Sequence, residues 1–530
     1  MDAVSLSIID WVAVGLYFAG IVGLAIKAKV AHRNSEDFFL ADRSMHWGIV
    51  LLSIFATLFS TVSFVAVPGE AYQHGLMLSL LLVSSIFFYP LAIWLFLRFF
   101  FRTHTFTAYE YLEQRYNLTT RLMGSAVYCL VRLLYLGTVF YAGAMVFKSL
   151  VGWPPIITIL VIGIVTITYA VAGGSRAIMF SDALQGVVIV IGIAVIMCKI
   201  LKLADFDLFA IYSHAAGNGK GYGDLVKPEF YRFNLTDRFS IWLLLINAVL
   251  APLASLSADQ SVVQRLLSSK SYKEAKKSII GNALICVPII GMLWIIGIGL
   301  FYYYSKSSSI LPKEVTSDNV MGYFINTQLP SPLPGIITAA LLAALMSTVA
   351  STVNCIANVV HRDWAVRLDI VQLDSKNELT VCRILSACIG MLSIIIAVLM
   401  TIGSENITSS VLEISGIWSS LWGILLVAFL FGVLVPRVSA TAIIAGLLVG
   451  GAVSMYLPYA LYYSVPVDKR IGFMWIGMPG LLIAALLPLI ICIFRPNRKN
   501  LTDLTLWTLS KDVKINERDL VDIKAISNFD

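Results

Sequence analysis

Ala344, Ser347, Thr348 and Ser351 stand at i, i+3, i+4 and i+7 within LPGIITAALLAALMSTVASTVNCIAN (333–358), so a helix places them on one face. Hydroxyl oxygens aimed at one point suit a hard cation, which prefers oxygen ligands. A lipid-facing helix would not carry them there, because a hydroxyl in hydrocarbon needs a partner. The first expectation is therefore a sodium site inside a secondary transporter. Three further groups stand out within or beside apolar runs. Asp182 opens a span and reads either as a helix N-cap or as a participant in cation coupling. Arg132 lies inside a span, where a cation is costly and usually functional, unless it snorkels to the cytoplasmic edge. Asp259 and Gln260 read as organisers of a helix end near the inner surface, and Ser261 as a loop residue just beyond it.

Elements long enough to cross a bilayer must hold these groups. The chain of 530 residues is 58% hydrophobic and 13% charged, with a mean hydropathy of +0.85, against roughly 25% charged in soluble domains. Its net charge of +7 sits in loops and the C-terminal tail, so it reports orientation and argues against a nucleic-acid partner. The seven cysteines show neither CxxC nor Cys/His spacing, which argues against a metal cluster or a disulfide framework. No cleaved leader is expected, since MDAVSLSIID lacks a basic n-region.

A window of about 20 apolar residues predicts an all-α integral membrane protein of about thirteen spans. They fall near 9–27, 45–70, 76–101, 122–148, 154–172, 181–203, 239–258, 278–303, 333–355, 383–402, 409–433, 438–460 and 471–493. Alternate loops are basic, as in Arg265, Lys270, Lys273, Lys276 and Lys277, which makes those loops cytoplasmic. An odd count then puts the N-terminus outside the cell membrane and the C-terminus in the cytoplasm. Two spans look interrupted. The second carries Thr57, Ser60, Thr61 and Ser63 and then Pro68 and Gly69, where the helix is expected to break; the seventh carries Pro252, Ser255, Ser257 and Asp259. Broken helices five spans apart predict a five-span unit repeated upside down, with solute held at the midplane.

The chain resembles the sodium:solute symporter family. The resemblance rests on FSTVSFVAVPGEAYQHG, YLGTVFYAGA (135–144), YAVAGGSRAIMFSDALQG (169–186), SADQSVVQRLLSSKSYKEAKKS (257–278) and LAALMSTVASTVN (342–354). It implies a LeuT-type 5+5 inverted repeat within a single unit, 1–530. The peripheral first helix is then 9–27, the two repeats 45–203 and 239–433, the peripheral C-terminal helices 438–493 and the cytoplasmic tail 494–530. It also implies a sodium site made of the Ala56, Phe59 and Ala344 carbonyls with the Ser347 and Thr348 hydroxyls. Family members with a second sodium use the equivalent of Asp182 with several hydroxyls, of which Ser351 is present. Ala350 stands where they have serine, so one sodium per cycle is expected.

The resemblance implies a sodium-coupled symporter, not an enzyme, working by alternating access and expected to act as a monomer. The solute is expected between the second and seventh spans, walled by Ser63, Tyr135, Ser255 and Trp418. The sugar-transporting branch lines its pocket with polar side chains where this chain has Ser63, Leu82, Pro252, Cys286 and Leu412, which disfavours sugar. VPGEAY and YLGTVFYAGA resemble the branch that moves monocarboxylates, vitamins and iodide, although Gly143 replaces its usual proline. Sialic-acid members place an arginine near the position of Tyr135, which this chain lacks there. The expected solute is a small organic anion of monocarboxylate type, with a sugar or sialic acid as the alternative. No filter-like repeat supports an ion channel, and His32, His46, His74, His104, His214 and His361 lie near loops without metal-site spacing.

Overall fold

A computed structural model describes residues 6–27, 34–103, 105–306, 311–312, 315–372, 377–403, 411–458, 460–461, 464–466 and 470–508. In chain order the α-helices are α1 (Ile8–Lys27), α2 (Ser35–Leu40), α3 (Trp47–Leu58), α4 (Thr61–His74), α5 (Ser79–Ile86), α6 (Tyr89–Ala92) and α7 (Arg98–Arg102). There follow α8 (Ala108–Arg115), α9 (Leu118–Val151), α10 (Pro155–Leu203), α11 (Leu208–Gly217), α12 (Pro228–Tyr231), α13 (Ile241–Ser257) and α14 (Gln260–Leu267). The last third holds α15 (Tyr272–Lys306), α16 (Val320–Gln328), α17 (Leu333–Val359), α18 (Glu378–Gly403), α19 (Val411–Leu434), α20 (Ala440–Pro458) and α21 (Met478–Phe494).

Among the described residues, seven helices are long and apolar enough to cross a membrane, and three bent helix pairs bring the number to ten. The protein is thus a multi-pass membrane protein. Helix α10 runs for 49 residues with Gly174 inside it at φ 57°, ψ −171°. At 1.5 Å per residue that is roughly 74 Å, against a hydrocarbon core of about 30 Å, so Gly174 divides two spans. Glycine is needed there, because other residues essentially never adopt that conformation.

The bent pairs are α3 with α4 (60°), α5 with the helical segment Tyr89–Arg102 (50°), and α13 with α14 (55°). Two breaks fall in the expected spans; the first lies ahead of the expected Pro68 and Gly69, and the second at Asp259, one of the residues marked in the seventh span. Pro68 lies inside α4 and Pro252 inside α13, and the chain departs from helix at Phe59–Ser60 and at Asp259. A helix in lipid tolerates an internal proline when neighbours satisfy the freed carbonyl. Pro68 and Gly69 instead permit close packing: a Cβ on Gly69 would sit 2.7 Å from the Ser317 carbonyl oxygen, and one on Gly297 of α15 would sit 2.4 Å from that of Pro68. The third bend, at Phe87–Phe88, was not anticipated.

Helix α17 is largely apolar or small on every side and is buried from Ile337 to Val359 without interruption, as expected of a central helix. It packs against α10, α9, α1 and α18. Its N-terminus is capped from outside its own segment: Asp10 of α1 accepts hydrogen bonds from the Gly335 backbone N–H (2.9 Å) and the Ser331 hydroxyl (2.7 Å). A carboxylate at that position satisfies an orphan donor and meets the positive end of the helix dipole. The first part of the tail also folds back on the protein, for Lys499 donates to the Gln114 carbonyl (2.6 Å) and Leu506 N–H to the Val433 carbonyl (2.9 Å).

Candidate functional site

The break after α3 strips the carbonyls of its last turn of the N–H partners a continuing helix would supply. Phe59 turns out of the helix at ψ 89° and Ser60 is extended. Helix α17 faces these carbonyls. The Ser347 hydroxyl donates to the Ala56 carbonyl (2.8 Å) and the Ala344 carbonyl (3.2 Å), and the Thr348 hydroxyl donates to the Thr57 carbonyl (3.2 Å). The three side chains that are not alanine, those of Thr57, Ser347 and Thr348, are hydroxyls, and every one of these residues is buried. Carbonyl oxygens at the negative end of a helix, joined to rotatable hydroxyls, form a neutral cluster of hard oxygens suited to a monovalent cation. Of the five predicted sodium residues, four are thus brought together. Phe59 stands at the break itself, and the Thr57 carbonyl, which Thr348 engages, is a further oxygen beside the set.

One turn further along α17, Ser351 donates to Asp182 at 2.9 Å. The same carboxylate oxygen accepts from Ser53 (2.7 Å) and from the Arg265 guanidinium (3.2 Å), while Oδ1 has no partner among the described residues. Arg265 also donates to the Ser53 hydroxyl (2.8 Å) and the Ser261 carbonyl (2.7 Å). Asp182 is fully buried, two turns beyond Gly174. It is therefore not an N-cap; its charge is met across the core by Arg265 of α14. Sequence reading assigned Arg265 to a basic cytoplasmic loop, whereas VVQR continues α14 into the interior.

The second break creates a cap and a cavity. Asp259 is extended and caps α14, accepting from the Ser261 N–H at 2.9 Å. Its other oxygen pairs with Arg132 of α9. Arg132 is 6% exposed and lies 5.0 Å from the Trp422 ring and 5.4 Å from that of Tyr135. It does not snorkel to the cytoplasmic edge, because Asp259 and two aromatic faces satisfy it in the interior. Both ionic groups line a cavity of about 510 Å³ together with Leu58, Tyr135, Ser255, Trp422 and Met478. Tyr135 and Ser255, two of the four residues expected to wall the solute site, line this cavity. Ser63 is on α4 and is not part of the wall, and the side chain of Trp418 falls outside the described residues. Ser261 is buried beside the Tyr128 hydroxyl (3.2 Å) on α14 rather than on a loop.

The sequence pattern of the sodium:solute symporter family matches residues 38–450. The chain belongs to that family. Sodium is accordingly the coupling ion of this symporter. A sodium/sialic acid symporter of Aliivibrio fischeri is 24% identical over 495 residues, covering 91% of this chain and 94% of that protein. The mouse sodium-coupled monocarboxylate transporter 1 is 27% identical over 463 residues, covering 86% and 72%. A sodium-coupled sialic acid symporter solved in an outward-open state superposes with a TM-score of 0.83 at 24% identity, covering 93% of this chain and all of that one, and so establishes the fold. The residues that sequence reading left out of the site are Ser53 and Arg265 around Asp182, and Met478 in the cavity wall, while Thr57 was marked only as a hydroxyl of the interrupted second span. Only Arg265 left a signal, as a charge on an otherwise amphipathic turn.

Proposed function

We propose that the protein imports a small organic anion of monocarboxylate type, coupled to one sodium ion, by alternating access. The observation that carries this reading is the set of α17 hydroxyls engaged on the carbonyls of the interrupted α3, whose last residue, Leu58, lines a cavity shared with the Arg132 guanidinium. Ser347, Thr348 and the carbonyls of Ala56 and Ala344 would hold the sodium. An ion that bridges α3 and α17 favours one arrangement of the two halves, so sodium and solute raise each other's affinity reciprocally. Arg265 beside Asp182, together with Ala350, supports a single sodium, since the buried carboxylate already has a cation of the protein's own.

The anionic solute is supported by Arg132 in the wall and by similarity to a monocarboxylate transporter. Sialic acid is a second reading, favoured by the Aliivibrio fischeri relative; it too is a carboxylate, but a mostly apolar wall leaves its many hydroxyls without partners. We count thirteen spans by adding α1, α19 and both halves of α10 to the remaining long helices and bent pairs. The spans 45–203 and 239–433 then form the two inverted repeats, each opening on a broken helix. Uptake into sodium-loaded and sodium-free proteoliposomes tests the function. Monocarboxylates should accumulate only down an inward sodium gradient; accumulation of N-acetylneuraminate or a sugar alone would replace the solute, and sodium-independent uptake would remove the coupling.

A further inference from the structure

We infer that Arg132 is the anchor for the solute's carboxylate and that α21, outside the repeats, shapes the wall that selects its body, so that the solute is a monocarboxylate with an alkyl or aryl body of several carbons. This rests on the organic-anion reading above and deepens it.

The polar balance of the cavity sets the first half. Asp259 has both oxygens engaged, one by the Ser261 N–H at 2.9 Å and the other by Arg132. It therefore has little to offer an incoming ammonium. Arg132, in contrast, has an Nε–H with no partner among the described residues, and the Ser255 hydroxyl in the same wall is also buried without one. A buried donor left unpaired is costly, and an arriving acceptor relieves that cost. A carboxylate does so with charge as well, because an arginine fork can serve Asp259 and a second carboxylate through different N–H groups. Trp422 and Tyr135 beside the guanidinium limit its rotation and so fix the direction of approach. The unmet demand is for an acceptor, and an added ammonium on the solute would have to share an Asp259 already paired with Arg132.

The remaining wall sets the second half. Phe473, Met474, Met478 and Leu481 line the cavity from the segment that leads into and forms α21. Their approach is close: a Cβ on Gly477 would lie 3.0 Å from Ser420 of α19. Methionine side chains adapt to varied apolar shapes. A cavity of about 510 Å³ far exceeds what a two-carbon acid fills, and an apolar wall gains nothing from a body covered with hydroxyls.

Binding to the full-length protein in nanodiscs, read by thermal shift and radioligand displacement with and without sodium, tests both halves. The probes are acetate, hexanoate, phenylacetate, phenylacetamide, phenylalanine and N-acetylneuraminate. Hexanoate and phenylacetate should bind at least tenfold more tightly than acetate, phenylacetamide or phenylalanine, and only with sodium. Arg132→Gln should weaken phenylacetate at least 30-fold and leave phenylacetamide unchanged. Because that variant strands Asp259, the double variant Arg132→Gln/Asp259→Asn is measured beside it and should show the same loss with sodium-induced stabilisation retained. Met478→Trp, with Arg132 intact, should weaken phenylacetate and spare acetate. If the double variant binds phenylacetate like wild type, the anchor is wrong; if Met478→Trp weakens acetate and phenylacetate equally, the selecting wall is wrong. Tightest binding of N-acetylneuraminate overturns the solute class, whereas sodium-independent behaviour with every probe overturns the symport reading itself.

Discussion

Ser347 touches two carbonyls at once, those of Ala56 and Ala344, which makes it the most direct test of the sodium cluster. Ser347→Ala removes one oxygen without altering helix shape. Its half-saturating sodium concentration should rise about tenfold, a cost near 1.4 kcal/mol, with little change in maximal uptake at saturating sodium. Ser213→Ala, on the exposed face of α11, should leave the sodium curve unchanged. Ser261 cannot serve as such a control, being buried against Tyr128. At the neighbouring cluster, Asp182→Asn should destabilise the protein by about 3–5 kcal/mol, because Arg265 is left as an uncompensated buried charge. The double variant Asp182→Asn/Arg265→Gln should recover part of that loss in a thermal unfolding assay; an additive result would mean the pair is not coupled. Ala344, Ser347, Thr348 and Ser351 were legible from sequence, since helical spacing alone puts them on one face. Arg132 was half legible. Its rarity inside a span marked it, but its partner lies 127 residues away on another helix, and no local pattern reports such a pairing.

At the scale of elements, sequence located the interrupted spans and marked Asp259 in the seventh, but misplaced the interruption of the second. Prolines drew attention because they lack an N–H, yet the chain breaks where serine and aspartate meet a change of direction, at Ser60 and Asp259. An extended residue at those points is stabilised by tertiary contacts, such as the Thr61 hydroxyl donating to the Val139 carbonyl at 3.0 Å, and these have no signature in the local sequence. Pro68→Ala should therefore keep at least half of wild-type uptake. Gly69→Ala should lose most of it, because the added methyl meets the Ser317 backbone. Equal uptake by both variants at equal expression would contradict this account of α4. Gly174 was visible only as one glycine of a pair, and its positive φ separates two spans that helix propensity alone would fuse.

For the whole molecule, composition sufficed to identify a membrane protein, and apolar runs of bilayer length marked the stretches that form its long helices, because both follow from the thickness of the bilayer. Orientation is a further expectation from the basic loops. Single cysteines introduced at residues 3 and 525 should be labelled from opposite sides by a membrane-impermeant reagent, and labelling from one side would reverse or break the proposed topology. The pair formed by Asp182 and Arg265 has an electrical consequence. Its guanidinium is part of the protein and returns with it on every turnover, so it delivers no charge to the cell. If one sodium travels with one monovalent anion, as proposed, the load itself is neutral. Each uncompensated charge would couple to the voltage by about 2.3 kcal/mol per 100 mV; a neutral load couples by none. A potassium diffusion potential imposed on proteoliposomes should thus leave the rate unchanged, and a stimulation of twofold or more would reveal another cation. The ceiling on accumulation is then the sodium concentration ratio alone, so a cell with this carrier could hold its solute through a collapse of membrane voltage.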